Sequence, residues 1–253
     1  MPTIADLQPI VPKILLWGRP GTGKTPFVAS YGAGLQLIDC DRGLLSSRTL
    51  QDMWTSNRQK VDVISCLEED PSKALAFAKL KSTVMDIYNQ CVKKTYPFSV
   101  LCIDSFTTVA DFALRYIQGN SASFGKPITQ PQWGLAISEL DNIFIWLKAM
   151  PIPVCVIFHQ REGTDINDHV TEELAIYGKN LPAKIISYFD EVLRIKMRIV
   201  NGKAQPYIQT QPEAYTIIRS RGQLKDSQLC DIGFRALLEQ LGWKEVAPQA
   251  AAK

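Results

Sequence analysis

The chain has 253 residues, 46% of them hydrophobic and 21% charged, an ordinary globular balance. That suits one large α/β domain with a sizeable core, drawn here as residues 1–245 with a flexible tail over 246–253. The net charge of +3 is too small to imply a nucleic-acid partner by itself, so any such argument must rest on where the charge sits.

In chain order, the first apolar run, Lys13–Trp17, reads as a buried strand. A glycine-rich segment, Gly18–Thr25, comes next, and Phe27–Tyr31 is compatible with a helix. Further strand candidates are Leu35–Asp39, Val61–Ser65, Ser99–Asp104 and Pro153–His159. Most are continuous apolar runs, which predicts a parallel sheet buried on both faces. Pro71–Lys93 predicts a helix with Asp70 as its N-cap and Pro71 at its first position. Trp133–Met150 repeats apolar residues at helical spacing. After about residue 188 the pattern changes, and Val192–Val200 alternates apolar with polar. Asn201-Gly202 marks a tight turn, and Tyr207–Thr210 and Tyr215–Ile218 continue an antiparallel extension. Asp231–Leu241 predicts a terminal helix closed by Gly242, and Ala247–Lys253 a frayed end. The fold class expected is α/β: a mostly parallel sheet flanked by helices, with antiparallel C-terminal strands. Two segments, Gly119–Pro131 and Arg161–Leu181, lack a clear apolar pattern and are expected as functional or disordered loops.

Six cysteines are present, none at the spacing of a metal site. Cys102 and Cys155 lie in strand-like runs, where a thiol acts as a small hydrophobe. All six read as reduced, hence intracellular. The N-terminus has no signal-peptide pattern, and no apolar run reaches the ~18 residues of a membrane span. The expectation is a cytoplasmic protein with no membrane partner.

Gly18-Arg19-Pro20-Gly21-Thr22-Gly23-Lys24-Thr25 fills every fixed position of the phosphate-loop pattern G-x-x-x-x-G-K-[ST]. In such a loop successive backbone N–H groups surround an anion at a helix N-terminus. Lys24 is expected to neutralise β- and γ-phosphate charge, and the Thr25 hydroxyl to ligate Mg²⁺. Gly18, Gly21 and Gly23 let the backbone approach without a Cβ, and Pro26 falls in the first helical turn. Asp104, ending an apolar strand, is the candidate second metal group; the alternative is a turn-forming Asp-Ser. Asp41 is the best candidate to orient or deprotonate water, against a turn in which it bonds its own backbone. Gln160 is the candidate γ-phosphate sensor, with His159 as runner-up.

Together these phrases resemble a known group. K-I-L-L-W-G-R-P-G-T-G-K-T, L-I-D-C-D-R-G-L, V-L-C-I-D-S-F-T, Y-F-D-E-V-L-R-I and I-R-S-R-G are similar, in that order, to phage nucleotide-binding proteins of the AAA-type P-loop group. That group includes short RecA-like ATPases of single-strand-annealing recombination, and the resemblance spans roughly Lys13 to Gly222. It implies a RecA-like core that binds and hydrolyses ATP with Mg²⁺, and a DNA-recombination role. It places Asp41 where relatives carry a catalytic glutamate. The side chain here is one carbon–carbon bond shorter, about 1.5 Å, which implies slow hydrolysis. It places Gln160 at the γ-phosphate sensor, and Gly119–Pro131 and Arg161–Leu181 at two DNA-binding loops. Arg219 and Arg221 are candidates to reach a nucleotide, of this chain or of the next subunit, or else to form an exposed edge. The partners implied are single-stranded DNA, further copies in a ring or filament, and a single-strand DNA-binding protein. Arg194, Lys196 and Arg198 alternate onto one strand face, which can line a phosphate backbone or form a solvated edge. Two other roles stay open: a motor or loader for a replication or packaging partner, and a non-hydrolysing ATP-gated interaction module.

Overall fold

Runs such as Ile14-Leu15-Leu16-Trp17 carry apolar side chains at every position, so the strands they form must be covered on both faces. The computed structural model describes residues 11–43, 61–70, 73–119, 126–164, 168–178, 180–213, 216–222, 224 and 227–244. Its parallel strands are β1 (Lys13–Gly18), β2 (Leu35–Asp39), β3 (Asp62–Ser65), β4 (Val100–Asp104), β5 (Val154–Thr164) and β7 (Glu191–Val200). They lie in the order β7-β1-β5-β4-β2-β3. The loop-bearing strand β1 and the acid-bearing strand β4 are therefore separated by β5. β8 (Lys203–Gln209), β9 (Arg219–Ser220) and β10 (Gln228–Leu229) add antiparallel pairings beyond β7. The result is the mostly parallel, helix-flanked sheet with antiparallel C-terminal strands expected from the sequence.

Alternation divides each strand between two cores. Leu15, Trp17, Ile103 and Phe158 face α2 (Ala76–Val92), α3 (Phe106–Gly119) and α4 (Gln130–Ala149). Ile14, Leu16, Cys102 and Ile157 face α1 (Lys24–Ala29) and α6 (Gly233–Gln240). Across the second layer Phe27 meets Phe234 edge-on, with ring centroids 5.5 Å apart. The short helix α5 (Leu181–Ile186) leads the chain back to the start of β7.

Four expectations are corrected. First, Arg161–Leu181 is not a structureless loop. β5 runs on to Thr164 and pairs antiparallel with β6 (Val170–Leu174), forming a hairpin. Its rungs are mostly polar, and Arg161 opposite Glu173 forms an ion pair at 3.1 Å. Cross-strand charge pairing supports it in place of burial, so no apolar alternation marks it. Second, α2 starts at Ala76, and Pro71 lies outside the described residues. The Glu68 carboxylate accepts from the N–H groups of Leu75 (3.0 Å) and Ala76 (3.3 Å), the capping expected of Asp70. Asp70 instead pairs with Lys73 at 3.1 Å. Third, α4 begins at Gln130, inside the segment expected as loop; the Gln132 side chain accepts from the Thr129 N–H at 2.9 Å in a capping box. Fourth, the strand expected over Tyr215–Ile218 pairs instead over Arg219–Ser220, with Thr216 making an isolated bridge to Glu172.

Candidate functional site

The phosphate-loop segment leaves the carboxyl end of β1 and turns directly into α1. Gly23 sits at the helix N-cap with φ 89° and ψ 19°, a left-handed conformation that suits glycine. At Gly18 (φ 155°) a Cβ would stand 2.3 Å from the Ile195 carbonyl oxygen, so only glycine allows β7 to pass this close. Thr22 Oγ1 donates to the Arg19 carbonyl at 2.8 Å and closes the turn. Pro20 and Gly21 form its exposed crest, and Pro26 occupies the third position of α1, where a missing N–H is tolerated.

Lys24 is buried, and its ammonium lies inside the loop, donating to the carbonyls of Gly18 (2.9 Å) and Arg19 (2.8 Å). Burial drives its pKa from 10.5 down to about 8, against the opposing pull of Asp104 and Asp41. The Thr25 hydroxyl donates to Asp104 Oδ2. Asp104 is itself 3% exposed. Burial, reinforced by the Asp41 charge, pushes its carboxyl up to about 7, while Thr25, Lys24 and His159 pull the other way. Asp41 Oδ2 lies 3.2 Å from His159 Nε2, and Asp41 Oδ1 accepts from the Gly43 N–H at 2.9 Å. Burial raises the Asp41 carboxyl, but the His159 and Gly43 hydrogen bonds outweigh it and leave its pKa below the usual carboxylate value. His159 is steadied in turn: its backbone N–H donates to Thr107 Oγ1 at 3.0 Å.

Lys24, Thr25, Asp104, Asp41 and His159 thus converge at the carboxyl edge of β1, β2, β4 and β5. Asp41 makes the backbone turn contact and the His159 contact at once.

Gln160 stands on the other flank. Its Oε1 accepts from Arg194 Nη2 at 2.9 Å and its Nε2 donates to Glu172 Oε1 at 2.9 Å. Arg194 also meets Glu172 through Nη1 and stacks over Trp17, 4.9 Å from the ring centroid. Gln160, Glu172 and Arg194 border a cavity of about 490 Å³ together with Arg19–Thr22. Outside it, Arg19 pairs with Glu162 of the hairpin at 2.6 Å, both side chains 61% exposed.

The expected basic ridge does not form. Arg194 is 2% exposed and turned inward, Lys196 pairs with Glu213 at 2.9 Å, and Arg198 stacks on Tyr207. Alternation put the three on one face correctly, but the β5–β6 hairpin covers the first of them. Arg219 and Arg221 do not approach the loop of their own chain. Arg219 pairs across from Val192, itself beside Leu15, roughly 10 Å along the strand from Gly18. Its Nη2 donates to the carbonyls of Ile186 (2.6 Å) and Phe189. Arg221 meets Asp190 at 3.3 Å, farther still toward the amino edge.

The sequence reading missed Glu172, which lay in a stretch without pattern, and the inward role of Arg194. Of the two carboxylates in Leu35–Gly43 it singled out Asp41; the other, Asp39, accepts from the Asp41 N–H through Oδ1 at 3.3 Å.

The residues present suit a magnesium–nucleotide complex. Among the described residues no group of three or more His, Cys, Asp or Glu could hold a metal alone. The buried Asp104 carboxylate and the Thr25 hydroxyl supply a partial set of hard oxygens, which phosphate oxygens and water complete in sites of this kind. No helix among the described residues is long and apolar enough to cross a membrane.

A family model described as AAA domain matches residues 11–221. No curated protein matches the chain. Solved structures similar to it include the following three. One is an ATPase of the type III secretion system of pathogenic bacteria, at 15% identity over 73% of this chain and a TM-score of 0.47. This chain spans about half of that ATPase, 51% of its length. The second is a KaiC-like protein of the hyperthermophilic archaeon Pyrococcus horikoshii, at 14% identity over 86% of this chain and 81% of that one, TM-score 0.42. The third is the flagellar accessory protein FlaH of Methanocaldococcus jannaschii, at 10% identity over 79% of this chain and 78% of that one, TM-score 0.38.

Proposed function

The chain belongs to the AAA-domain family, and from that premise we propose that it is a Mg²⁺-dependent, slow ATPase whose nucleotide sits in Gly18–Thr25. The observation that carries this is the convergence of Lys24, Thr25 and Asp104 at the mouth of one glycine loop. The loop amides and the Lys24 ammonium bind the phosphates, and Lys24 exchanges two carbonyl acceptors for charged phosphate oxygens. Thr25 and Asp104 hold Mg²⁺, which supplies charge neutralisation at the transferring phosphoryl group. Asp41, ionised and steadied by His159, orients or deprotonates the attacking water. Its short side chain keeps turnover low. Titration calorimetry of the protein with a nonhydrolysable ATP analogue and Mg²⁺ tests the site, with Lys24→Ala as the control that loses binding.

The finer reading is that this ATPase is phage-encoded, acts in a host cell cytoplasm and binds single-stranded DNA to promote annealing or recombination. Its supports are the ordered motif phrases and the position of the β5–β6 hairpin beside the loop. ATP would then bind between neighbouring copies of a ring or filament, with Arg219 or Arg221 reaching the next subunit's nucleotide. A single-strand DNA-binding protein is the partner that fits this role. Because Arg194, Lys196 and Arg198 are engaged within the chain, the DNA contact falls to other residues of the two segments that the resemblance assigns to DNA. DNA binding measured with and without ATP tests it; identical, salt-labile binding in both states removes the recombinase role. The engagement of Asp41 by His159 and Gly43 favours a second reading, a non-hydrolysing ATP-gated module. Turnover unchanged by Asp41→Ala selects that reading.

A further inference from the structure

The guanidinium of Arg194 is a charge buried within the sheet. A desolvated cation is tolerated only when its donors are met by acceptors or an anion. Arg194 is 2% exposed, yet its Nε donates to no acceptor among the described residues. Of the others, Nη2 donates to Gln160 Oε1, while Nη1 meets the Glu172 carboxylate as an ion pair and has no hydrogen-bond partner among the described residues. The face of Trp17 fixes its plane from behind. This is a preorganised donor fork, set in a cavity of about 490 Å³ whose opposite wall is Arg19–Thr22 of the phosphate loop.

The network also fixes the Gln160 amide. Arg194 is only a donor and ionised Glu172 only an acceptor, so the oxygen must face Arg194 and the nitrogen Glu172. One N–H of that nitrogen is then left to give, and Lys196 adds a second cation on the cavity wall. Of the charged side chains lining the cavity among the described residues, Arg19, Arg194 and Lys196 are cations and Glu172 is the acid. Glu172 is 28% exposed and is carried on β6, which pairs only with β5 and lies off the main path of the sheet.

We propose that Arg194, with Gln160 and Lys196, forms an anion subsite for a phosphoryl group beside the phosphate loop, and that the Glu172 carboxylate holds the place of that anion. The subsite deepens the proposed function and rests on the reading of Gly18–Thr25 as a nucleotide loop. The anion is the terminal phosphoryl group of a bound triphosphate or a free phosphate, since both present the same oxygens to a guanidinium. When it binds, Arg194 exchanges Glu172 for phosphate oxygens, and the carboxylate-bearing strand β6 loses its ion pair to the sheet. The subsite thus ties the hairpin to the number of phosphates present.

Calorimetry on the full chain tests this with three titrants: a nonhydrolysable triphosphate, the diphosphate, and inorganic phosphate alone. The expected result is that Arg194→Met weakens triphosphate binding by about tenfold or more, the scale of one charge-assisted contact, and leaves diphosphate affinity unchanged. Glu172→Gln, which removes the competing charge and keeps the shape, should raise triphosphate affinity and again leave the diphosphate alone. Phosphate alone binding the wild type, and more tightly to Glu172→Gln, identifies free phosphate as a source; phosphate failing in both assigns the site to the nucleotide's own terminal group. Equal loss of both nucleotides in Arg194→Met, with no change in Glu172→Gln, shows a structural role and overturns the subsite. A wild type that binds neither nucleotide overturns the loop assignment itself.

Discussion

Replacing Asp104 with asparagine should stabilise the protein while removing its magnesium-dependent activity. Asp104 is 3% exposed, and its carboxyl is raised from 3.8 to about 7, a value that already nets Thr25 and Lys24 against burial and Asp41. A carboxyl whose pKa is raised on folding favours the folded state fully below 3.8. That contribution is lost as pH rises toward about 7, because the folded state then holds a proton that the unfolded state releases. Above that window the buried carboxylate costs the fold at most about 4 kcal/mol, at about 1.4 kcal/mol per pH unit. Local relaxation shrinks this, so roughly 2–4 kcal/mol is the range expected on the scale of buried-charge effects. Asparagine keeps an oxygen for the Thr25 hydroxyl and cannot ionise. Urea unfolding of wild type and Asp104→Asn, with a chelator present, should give similar stabilities near pH 4 and a gain for the variant that grows to its full size by pH 8. A variant equally or less stable than wild type at pH 8 refutes the reasoning. So does ATP turnover at the wild-type rate when magnesium is restored.

Three further outcomes follow from the loop geometry and its neighbours. Gly18→Ala should destabilise by about 3 kcal/mol or more, since its Cβ meets the Ile195 carbonyl at 2.3 Å, whereas Gly21→Ala faces open space and should cost about 1–2 kcal/mol for its φ of +77°; thermal unfolding of both variants checks the contrast. Asp41→Ala should slow hydrolysis at least about tenfold with nucleotide affinity unchanged, as expected for a group that acts on water, and single-turnover kinetics with calorimetry separates the two. Arg221→Ala should leave nucleotide binding by a dilute, monomeric sample unchanged, because its partner is Asp190 at the amino edge; weaker binding there contradicts the placement.

The parallel core was legible because its strands are buried on both faces: Ile14–Trp17 and Val100–Ile103 leave no polar position to confuse with a helix or an edge. Asp104 was legible for a related reason, an acid ending an apolar run downstream of a complete phosphate loop. The β5–β6 hairpin was not, because its cohesion lies in cross-strand partners such as Arg161 with Glu173, which periodicity does not register. That single omission misplaced Arg194: strand alternation assigns a face, but only the hairpin laid over it turns that face into an interior. Arg219 and Arg221 show the same limit. Their spacing looks like a charged edge, and their partners, the carbonyls at the end of α5 and Asp190, come from a distant turn.

The most direct measurement is titration calorimetry of a nonhydrolysable ATP analogue with Mg²⁺ into wild type and Lys24→Ala. One-to-one binding by the wild type, lost in the variant whose buried ammonium is gone, is the result predicted. Equal heats in both proteins, or none in either, contradicts the claim that Gly18–Thr25 wraps a triphosphate.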